Sequence, residues 1–336
     1  MQPKNDKLIT PLIICGGPTS GKGVLAALLE GHPDIFCIPM WHDYTAETIA
    51  SCRELSWQFS SIPQLSQDYA DYLFFFKALD TGQGAYQILQ IAAQAGYMNF
   101  PLDSQQFMPV PFAFSFSSFS KGLFTDLQGT AFTDSPGLFH AIFKNLHAQI
   151  WGNTHLPRYG LSAIHTTFFQ YEMLSFIYPK AKFLFVKRDI LDAFASTVYR
   201  SAQSYATSIE EMMQRLYSDA TWLSFTKNML NAEHFAATQP ERMIILDFTD
   251  LIMNTEQCLR KACAHIGVEY LPIMQQATFL GKPIAQDATG IIHDDPRTFL
   301  TKSQLEMLQA YIDWLCLRAE QEILNETKIS GQRKTP

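Results

Sequence analysis

The sequence predicts an α/β fold, in which helices flank a central parallel sheet and a helical or irregular cap is inserted between its strands. Between residues 12 and 38, a short apolar run, a glycine-rich turn, an apolar-striped helix and a second short run follow one another. The same alternation returns between residues 182 and 267, whereas residues at about 44–160 lack it. Alternating strands and helices are typical of parallel sheets with helices on their faces.

The first unit begins with the apolar run Leu12–Cys15, which is typical of a buried strand. Ser20 is a suitable cap for the helix that follows, whose apolar stripe comprises Val24, Leu25, Leu28 and Leu29. We expect the helix to end at Gly31-His32-Pro33, because a proline cannot continue a helix. His32 then has a structural role at the helix end. Ile35–Ile38 predicts the second strand.

The later units repeat this order. Lys182–Lys187 predicts a strand followed by a helix, and Met243–Phe248 predicts another buried strand. A helix at about Glu256–His265 is expected to end at Gly267, since glycine is favoured just beyond a helix C-terminus. The stretch Lys302–Ile323 predicts a long amphipathic helix.

We expect one domain spanning residues 8–330, with flexible tails at 1–7 and 331–336. The cap, at about 44–160, is rich in Phe, Tyr and Trp, and Val110–Phe119 alternates aromatic with small polar residues. It is expected to lie over the carboxyl edge of the sheet. Most of its aromatic side chains should form a hydrophobic core, and a few should line an acceptor pocket.

Composition limits the partners and the compartment. Net charge is −7 over 336 residues, which argues against nucleic acid because duplex binders carry a basic surplus. Six cysteines are scattered without a CxxC pair, which favours free thiols in a reducing compartment. The polar N-terminus and the short apolar run after it predict neither a signal peptide nor a transmembrane segment. We therefore expect a cytoplasmic protein.

The turn Gly16–Gly23 (GGPTSGKG) follows the first strand and opens the helix. Backbone N–H groups converge at such a turn and make an anion site. The string nearly matches the phosphate loop GxxxxGK[ST], but Gly23 stands where a hydroxyl would hold Mg²⁺. We therefore expect a phosphate loop that works without a metal. A glycine-rich turn that only tightens the strand–helix unit is the alternative.

A second candidate site follows the strand that ends at Lys187. Arg188 should lie at the carboxyl end of that strand, where open α/β sheets bind their ligands. Ser196 lies about two helical turns later, on the face that looks back at the arginine, and Arg200 lies beyond it. An arginine and a serine hydroxyl make a sound phosphate clamp. Without the first loop, an Arg188-Asp189 sequence after a strand would more often indicate residues of an ion pair.

Together these segments resemble the sulfotransferases that use 3′-phosphoadenosine 5′-phosphosulfate (PAPS). Residues 18–25 lie over that family's 5′-phosphosulfate loop, and His32-Pro33 continues the match. Arg188-Asp189 with Ser196 reproduces its 3′-phosphate element, apart from Ile190 in place of a proline. Phe248-Thr249-Asp250-Leu251 resembles the segment that packs near adenine. The resemblance covers residues of about 10–40 and 175–270 and omits the cap.

The resemblance implies a P-loop-like fold and a set of cofactor-binding residues. These are Pro18, Thr19, Ser20, Gly21, Lys22, Gly23, Arg188, Ser196 and Phe248. Thr19 departs from the family, which keeps a basic residue there to contact the sulfate. Lys22, at a usual threonine position, either reaches the same anion one turn later or leaves the activity impaired.

Sulfuryl transfer to an alcohol also needs a base near the acceptor oxygen. The family uses a glutamate soon after the His-Pro segment or a histidine in the middle of the chain. No glutamate occurs at the first place, so His42 and Asp43 are the candidates, with His165 in reserve. With Lys22 they form the predicted catalytic set.

The predicted function is transfer of a sulfuryl group from PAPS, without a metal, to a hydroxyl or amine of an acceptor. The acceptor is a small molecule, sugar, lipid or peptide that the composition does not distinguish. Two alternatives stay open. One is a P-loop kinase or NTPase that uses Mg-ATP, and the other is a catalytically impaired binding protein with the sulfotransferase fold.

Overall fold

The computed structural model describes residues 8–37, 122, 125–126, 135–152, 155–165, 171–218, 221–279, 282–283 and 295–332. Its first elements are β1 (Thr10–Gly16), α1 (Lys22–Leu29), β2 (Ile35–Cys37), α2 (Ser135–Trp151), β3 (Tyr159–His165), α3 (Tyr171–Ile177) and β4 (Lys182–Lys187). Then follow α4 (Ile190–Ser204), α5 (Ile209–Ser218), α6 (Thr221–Thr238), β5 (Met243–Asp247), α7 (Phe248–Met253) and α8 (Thr255–Ile266). A short antiparallel pair, β6 (Thr278–Phe279) and β7 (Lys282–Pro283), and the long helix α9 (Lys302–Gln332) complete it.

Within the described residues, the central sheet has five parallel strands in the order β2-β3-β1-β4-β5. Strand β1 is central, with β3 on one side and β4 on the other. Gly16 therefore stands beside His165 of β3 and Val186 of β4. This register brings the loop after β1 and the turn after β4 to the same carboxyl edge, where open α/β sheets bind ligands.

Both faces of the sheet are covered, which explains why its strands are apolar on both sides. On one face, Leu12 and Ile14 of β1 pack with the apolar stripe of α1 and with α8. Buried aromatic side chains of β4, α2 and α3 form another part of the hydrophobic interior. Among them, the rings of Phe139 and Phe143 of α2 stack with 4.2 Å between their centroids.

The α/β class with a central parallel sheet is confirmed. The predicted strands at residues 12–15, 35–38, 182–187 and 243–248 are β1, β2, β4 and β5. Gly267 ends α8 in the left-handed conformation, as predicted. The expectation that Ser20 caps α1 is wrong. Gly21, at φ 95°, is the cap residue and no side chain bonds there.

The predicted cap lies mostly outside the described residues. Within its range, α2 packs against the sheet and β3 begins at Tyr159. Strand β3 itself was not predicted. No helix in the described part of the chain combines the length and apolarity that crossing a membrane requires.

Candidate functional site

The loop between β1 and α1 folds around the side chain of Lys22. This lysine is 3% exposed, and its ammonium donates to the carbonyl oxygens of Gly16 (2.9 Å) and Gly17 (2.6 Å). An ammonium has three N–H donors, so one is not used by these two bonds. Helix α1 has no side-chain cap and no acidic residue in its first turn, so its positive end is not neutralised there.

Burial changes the protonation of this lysine. It lowers the pKa of Lys22 from 10.5 to about 7, and the neighbouring Cys15 acts in the opposite direction. The thiol of Cys15 is fully buried, and burial raises its pKa far above the usual value, so it stays protonated. The charged form of Lys22 is therefore costly in this buried place, and a bound anion would stabilise it.

Aromatic rings fix the loop at two glycines. A Cβ at Gly17 would come within 2.0 Å of the Phe225 ring from α6. Gly21 has φ 95°, and a Cβ there would come within 2.5 Å of Phe248. Glycine is therefore required at both places, by close packing at Gly17 and by packing and backbone conformation at Gly21.

Thr19 connects the loop to α4. Its hydroxyl donates to the carbonyl oxygen of Ala193 at 2.9 Å and lies 3.3 Å from the hydroxyl of Thr197. Its φ of 54° is unusual for a β-branched residue, and the bond to α4 holds it in place. The Thr19 side chain is thus part of a loop–helix contact.

Arg188 joins the two candidate elements. Its Nη1 donates to the carbonyl oxygen of Thr19 at 2.6 Å, and its guanidinium carbon lies 4.4 Å from the centroid of the Phe248 ring. Its Nε is buried and has no hydrogen-bond partner among the described residues. Burial lowers the pKa of Arg188, while Asp192 and Asp189 act against the shift. An arginine remains charged, so its spare donors favour an anion.

Helix α4 carries two further candidate residues. Ser196 is 1% exposed. Arg200, one helical turn beyond it, has its pKa lowered to about 10, mainly by burial and also by the charge of Arg188. Two guanidinium groups that repel one another inside a protein are stabilised by a group carrying more than one negative charge.

The neighbouring Asp189 has a different role. Its carboxylate accepts from the backbone N–H of Asp192, which caps α4, and it pairs with Arg297 at 3.1 Å. Arg297 also pairs with Asp192 at 2.6 Å, and Phe299 stacks on Tyr199 with 3.9 Å between centroids. The ion pair expected of an Arg-Asp sequence therefore forms through the aspartate, which leaves the arginine to the loop.

The structure describes the backbone of one of the three candidate bases and neither of the other two. His42 and Asp43 lie outside the described residues. The backbone of His165 ends β3 beside Gly16, and its side chain is likewise outside the description. Within the described part of the chain, no three His, Cys, Asp or Glu side chains form a group that could hold a metal ion.

A sequence model described as the sulfotransferase family matches residues 11–272, a range that includes both the loop and Arg188. The chain belongs to the sulfotransferase family. No curated protein sequence matches the chain significantly. Membership in this family does not favour the kinase or NTPase alternative.

Several solved sulfotransferases are similar to this chain at low identity. The sulfotransferase domain from the curacin biosynthetic pathway is 15% identical with a TM-score of 0.45, over 91% of this chain and 98% of that one. STF1 from Mycobacterium tuberculosis H37Rv is 14% identical with a TM-score of 0.42, over 91% and 77%. STF9 from Mycobacterium avium is 12% identical with a TM-score of 0.41, over 84% and 74%. Because these likenesses are low, the family assignment rests on the sequence match.

In this member of the sulfotransferase family, the loop after β1 and the turn after β4 meet through contacts among Thr19, Gly21, Arg188 and Phe248. The Lys22 ammonium bonds to carbonyl oxygens of the loop from its interior. The sequence does not predict the roles of Phe225 and Ala193, whose contacts hold the loop. No local signal marks either residue, because each lies far along the chain from its partner. The sequence marks Arg200 only as a cation beyond Ser196, whereas the structure shows the charge of Arg188 acting on it.

Proposed function

We propose that this chain transfers a sulfuryl group from PAPS to a hydroxyl or amine of an acceptor. The observation that carries the proposal is the hydrogen bond from Arg188 to the carbonyl oxygen of Thr19. It couples an anion-binding loop to a second cationic centre at the same edge of the sheet. Such a pair suits a nucleoside that carries anionic groups at both the 3′ and the 5′ positions of its ribose. The molecule 3′-phosphoadenosine 5′-phosphosulfate has that charge distribution.

The 5′ end of the donor binds at the loop between β1 and α1. Two donors of the Lys22 ammonium bond to the carbonyl oxygens of Gly16 and Gly17. The third is left for the oxygen that bridges sulfur and phosphorus. That oxygen gains negative charge as its bond to sulfur breaks, so a fixed cation beside it lowers the barrier. Lys22 thereby replaces the basic residue that Thr19 displaces.

The 3′-phosphate binds at the turn after β4. Arg188 supplies its unpartnered Nε and remaining donors, and Ser196 supplies its hydroxyl. Arg200 adds charge from one turn beyond. Phe248 presents its ring to Arg188 and Gly21, and its aromatic face packs near adenine. Removal of the 3′-phosphate from the ligand should therefore cost more affinity than any change to the base.

The acceptor proton needs a base at the same edge. Among the candidates, His165 is favoured by the register, because it ends the strand beside β1, directly opposite Gly16. His42 and Asp43 follow β2, which lies one strand farther away. In the proposed step the acceptor oxygen bonds to sulfur, the sulfur–oxygen bond to the phosphate breaks, and the acceptor proton passes to the histidine. Adenosine 3′,5′-bisphosphate leaves.

A calorimetric titration with adenosine 3′,5′-bisphosphate in the presence of a chelator tests the donor. We expect binding at micromolar concentrations or tighter, and weaker binding of Mg-ATP in a separate titration with Mg²⁺ and no chelator. Binding of Mg-ATP alone would refute the proposal in favour of a kinase or NTPase. Binding of neither would favour a protein that has lost its nucleotide site.

Catalysis is tested separately, with sulfur-labelled PAPS and panels of alcohols, phenols, sugars and amines. We expect label on at least one acceptor, and Lys22→Gln should reduce turnover by about two orders of magnitude. Nucleotide binding without transfer to any acceptor would support the impaired binding protein, an alternative consistent with the commitment of Thr19 to Ala193.

A further inference from the structure

The C-terminal helix α9 carries apolar side chains on two opposite faces. On the inward face, Leu308, Ile312, Leu315 and Ala319 are at most 5% exposed. On the outward face, Met307, Trp314, Leu317 and Leu324 are 50% to 62% exposed. The outward residues, with Ala310 and Gln321 between them, are called the outer stripe. An exposed run of large apolar side chains marks an interaction site more often than a bare surface.

The spacing of the outer stripe is that of a coiled-coil seam. Residues 307, 310, 314, 317, 321 and 324 follow one another at intervals of three and four, which is the a/d pattern of a heptad. The stripe is 18 residues long, or about 27 Å at about 1.5 Å per residue. At about 100° per residue, its centre is turned about 180° from the inward face.

We propose that the outer stripe binds the outer stripe of a second copy of this chain, as a parallel helix pair in a two-fold symmetric dimer. The stripe lies opposite the face that packs on the protein body. Two bodies would therefore sit on the outer sides of the helix pair without meeting. A two-fold interface uses the same patch on both copies, and a self-complementary heptad seam satisfies that requirement.

Charges beside the stripe favour a second copy and select the parallel orientation. One flank carries three carboxylates, Glu306, Asp313 and Glu320. The other carries Tyr311, Arg318 and Asn325. In a parallel pair the two flanks face each other, which places Asp313 opposite Arg318 of the second copy, twice by symmetry. In an antiparallel pair each flank faces itself, so three carboxylates would oppose three carboxylates.

The flanking charges are available for this pairing. Asp313 accepts a hydrogen bond from Gln309, and Arg318 pairs with Glu322 at 3.3 Å, both within the helix and both exposed. Exposed pairs of this kind contribute little, so exchanging them for contacts across the seam costs little. Trp314 lies in the middle of the stripe with its ring stacked on Tyr311, 5.8 Å between centroids. It is the natural anchor of the interface.

Sedimentation velocity of the full chain tests the proposal. We expect a dimer at micromolar concentrations. Leu317→Glu should weaken it by about tenfold or more, since each dimer then buries two carboxylates in place of two leucines. Met253→Glu, which changes an even more exposed apolar residue on α7, should leave the dimer intact. A wild-type chain that is monomeric at tens of micromolar would overturn the proposal, as would a Leu317→Glu chain that dimerises like wild type.

The orientation has its own test. Ala310→Cys and Leu324→Cys lie near opposite ends of the stripe. In a parallel pair each meets its own counterpart, so each single variant should form a disulfide-linked dimer under mild oxidation, above the level of the wild-type chain. Cross-linking only when the two variants are mixed would show an antiparallel pair and contradict the proposal. Binding of the monomer to lipid vesicles through the stripe would contradict it too.

Discussion

The Arg188 guanidinium donates through Nη1 to the carbonyl oxygen of Thr19 at 2.6 Å, which joins the turn after β4 to the loop after β1. The two residues are 169 positions apart in the chain. They meet because β1 and β4 are neighbours in the sheet and end at the same edge. The Thr19 side chain strengthens the joint with its own bond to Ala193. The loop after β1 and the turn after β4 are therefore in direct contact at this edge.

Substitution of Arg188 should cost affinity for the 3′-phosphate selectively. We expect Arg188→Ala to weaken binding of adenosine 3′,5′-bisphosphate by about tenfold or more, because hydrogen bonds to charged groups contribute about 1.5–3 kcal/mol each. Lys187→Ala is the matched control. Lys187 is the adjacent cation, but its ammonium pairs at the surface with Glu233. Calorimetric titration of both variants measures the difference, and equal losses would remove Arg188 from the site.

The Phe248 ring should act on the base rather than on the phosphate. Phe248→Leu keeps an apolar side chain but removes the aromatic face that lies 4.4 Å from the Arg188 guanidinium carbon. We expect adenosine 5′-phosphate and the 3′,5′-bisphosphate to lose similar amounts of binding free energy, about 1–3 kcal/mol. Phe248→Tyr should retain both affinities. A loss confined to the bisphosphate would mean that the ring only positions Arg188.

Nucleotide binding should take up a proton at pH 8. In the free chain, burial lowers the pKa of Lys22 to about 7, so at pH 8 the amine is mostly neutral. A bound phosphosulfate or phosphate group raises that pKa, and the lysine becomes protonated. Below pH 6 it is protonated in both states and contributes no uptake. Titrations in buffers of different ionisation enthalpy measure the effect.

Lys22→Gln is the control for this proton, because it keeps a donor and removes the titration. Uptake that persists unchanged in Lys22→Gln would show that another group is responsible. The ligand's own phosphate is fully ionised at pH 8, because its second pKa is about 6.

Gly17 should tolerate no side chain while Phe225 is present. A methyl group there would meet the ring at 2.0 Å, so Gly17→Ala should cost about 1–3 kcal/mol of stability and displace the loop. Nucleotide affinity should fall with it. The double variant Gly17→Ala with Phe225→Leu should recover part of both, measured by thermal unfolding and titration against Phe225→Leu alone. If the double variant recovers nothing, the ring is not what limits position 17.

Stability should decrease in mild acid partly through His32. Its Nδ1 accepts from the backbone N–H of Asp34, so Nε2 carries the proton donated to the carbonyl oxygen of Glu269. Burial is the main reason that its pKa lies below 6.5. The unfolded chain therefore binds more protons than the folded chain, and the free energy of unfolding falls as the pH decreases through 6.5.

His32→Asn keeps an acceptor for the Asp34 N–H and removes this titration. We expect a shallower decline between pH 7 and 5, measured by urea unfolding at each pH. Burial lowers the pKa of His265 too, so the decline should shrink rather than disappear. An unchanged slope would show that His32 does not contribute.

The sequence predicts four of the five sheet strands because each is a short run of consecutive apolar residues. Strand β3 lacks such a run, since Gly160 and Ser162 interrupt it. A Cβ at Gly160 would come within 2.4 Å of the Phe143 ring of α2, so the glycine is required by helix–sheet packing. That requirement involves a residue from another element, which a local pattern does not reveal.

The residues of the candidate site likewise fall into two groups, those that a local motif predicts and those whose contacts only the structure reveals. Lys22, Arg188 and Phe248 are recognisable because they belong to short motifs next to strands. The contacts that hold them are not, because Thr19 bonds to Ala193 and Gly17 packs on Phe225 across most of the chain. The structure also explains why Ser20 does not cap α1. Its buried hydroxyl lies against Gly16, and Gly21 makes the turn into the helix.

In the proposed function, two coupled anion sites bind the 3′- and 5′-phosphate groups of one nucleotide. Titrations of adenosine 3′,5′-bisphosphate and adenosine 5′-phosphate, without metal, into the wild-type chain and into Arg188→Ala test this coupling. We predict that the wild type prefers the bisphosphate by at least about tenfold and that Arg188→Ala abolishes this preference. Equal affinities in the wild type, or a preference that survives in Arg188→Ala, would contradict it.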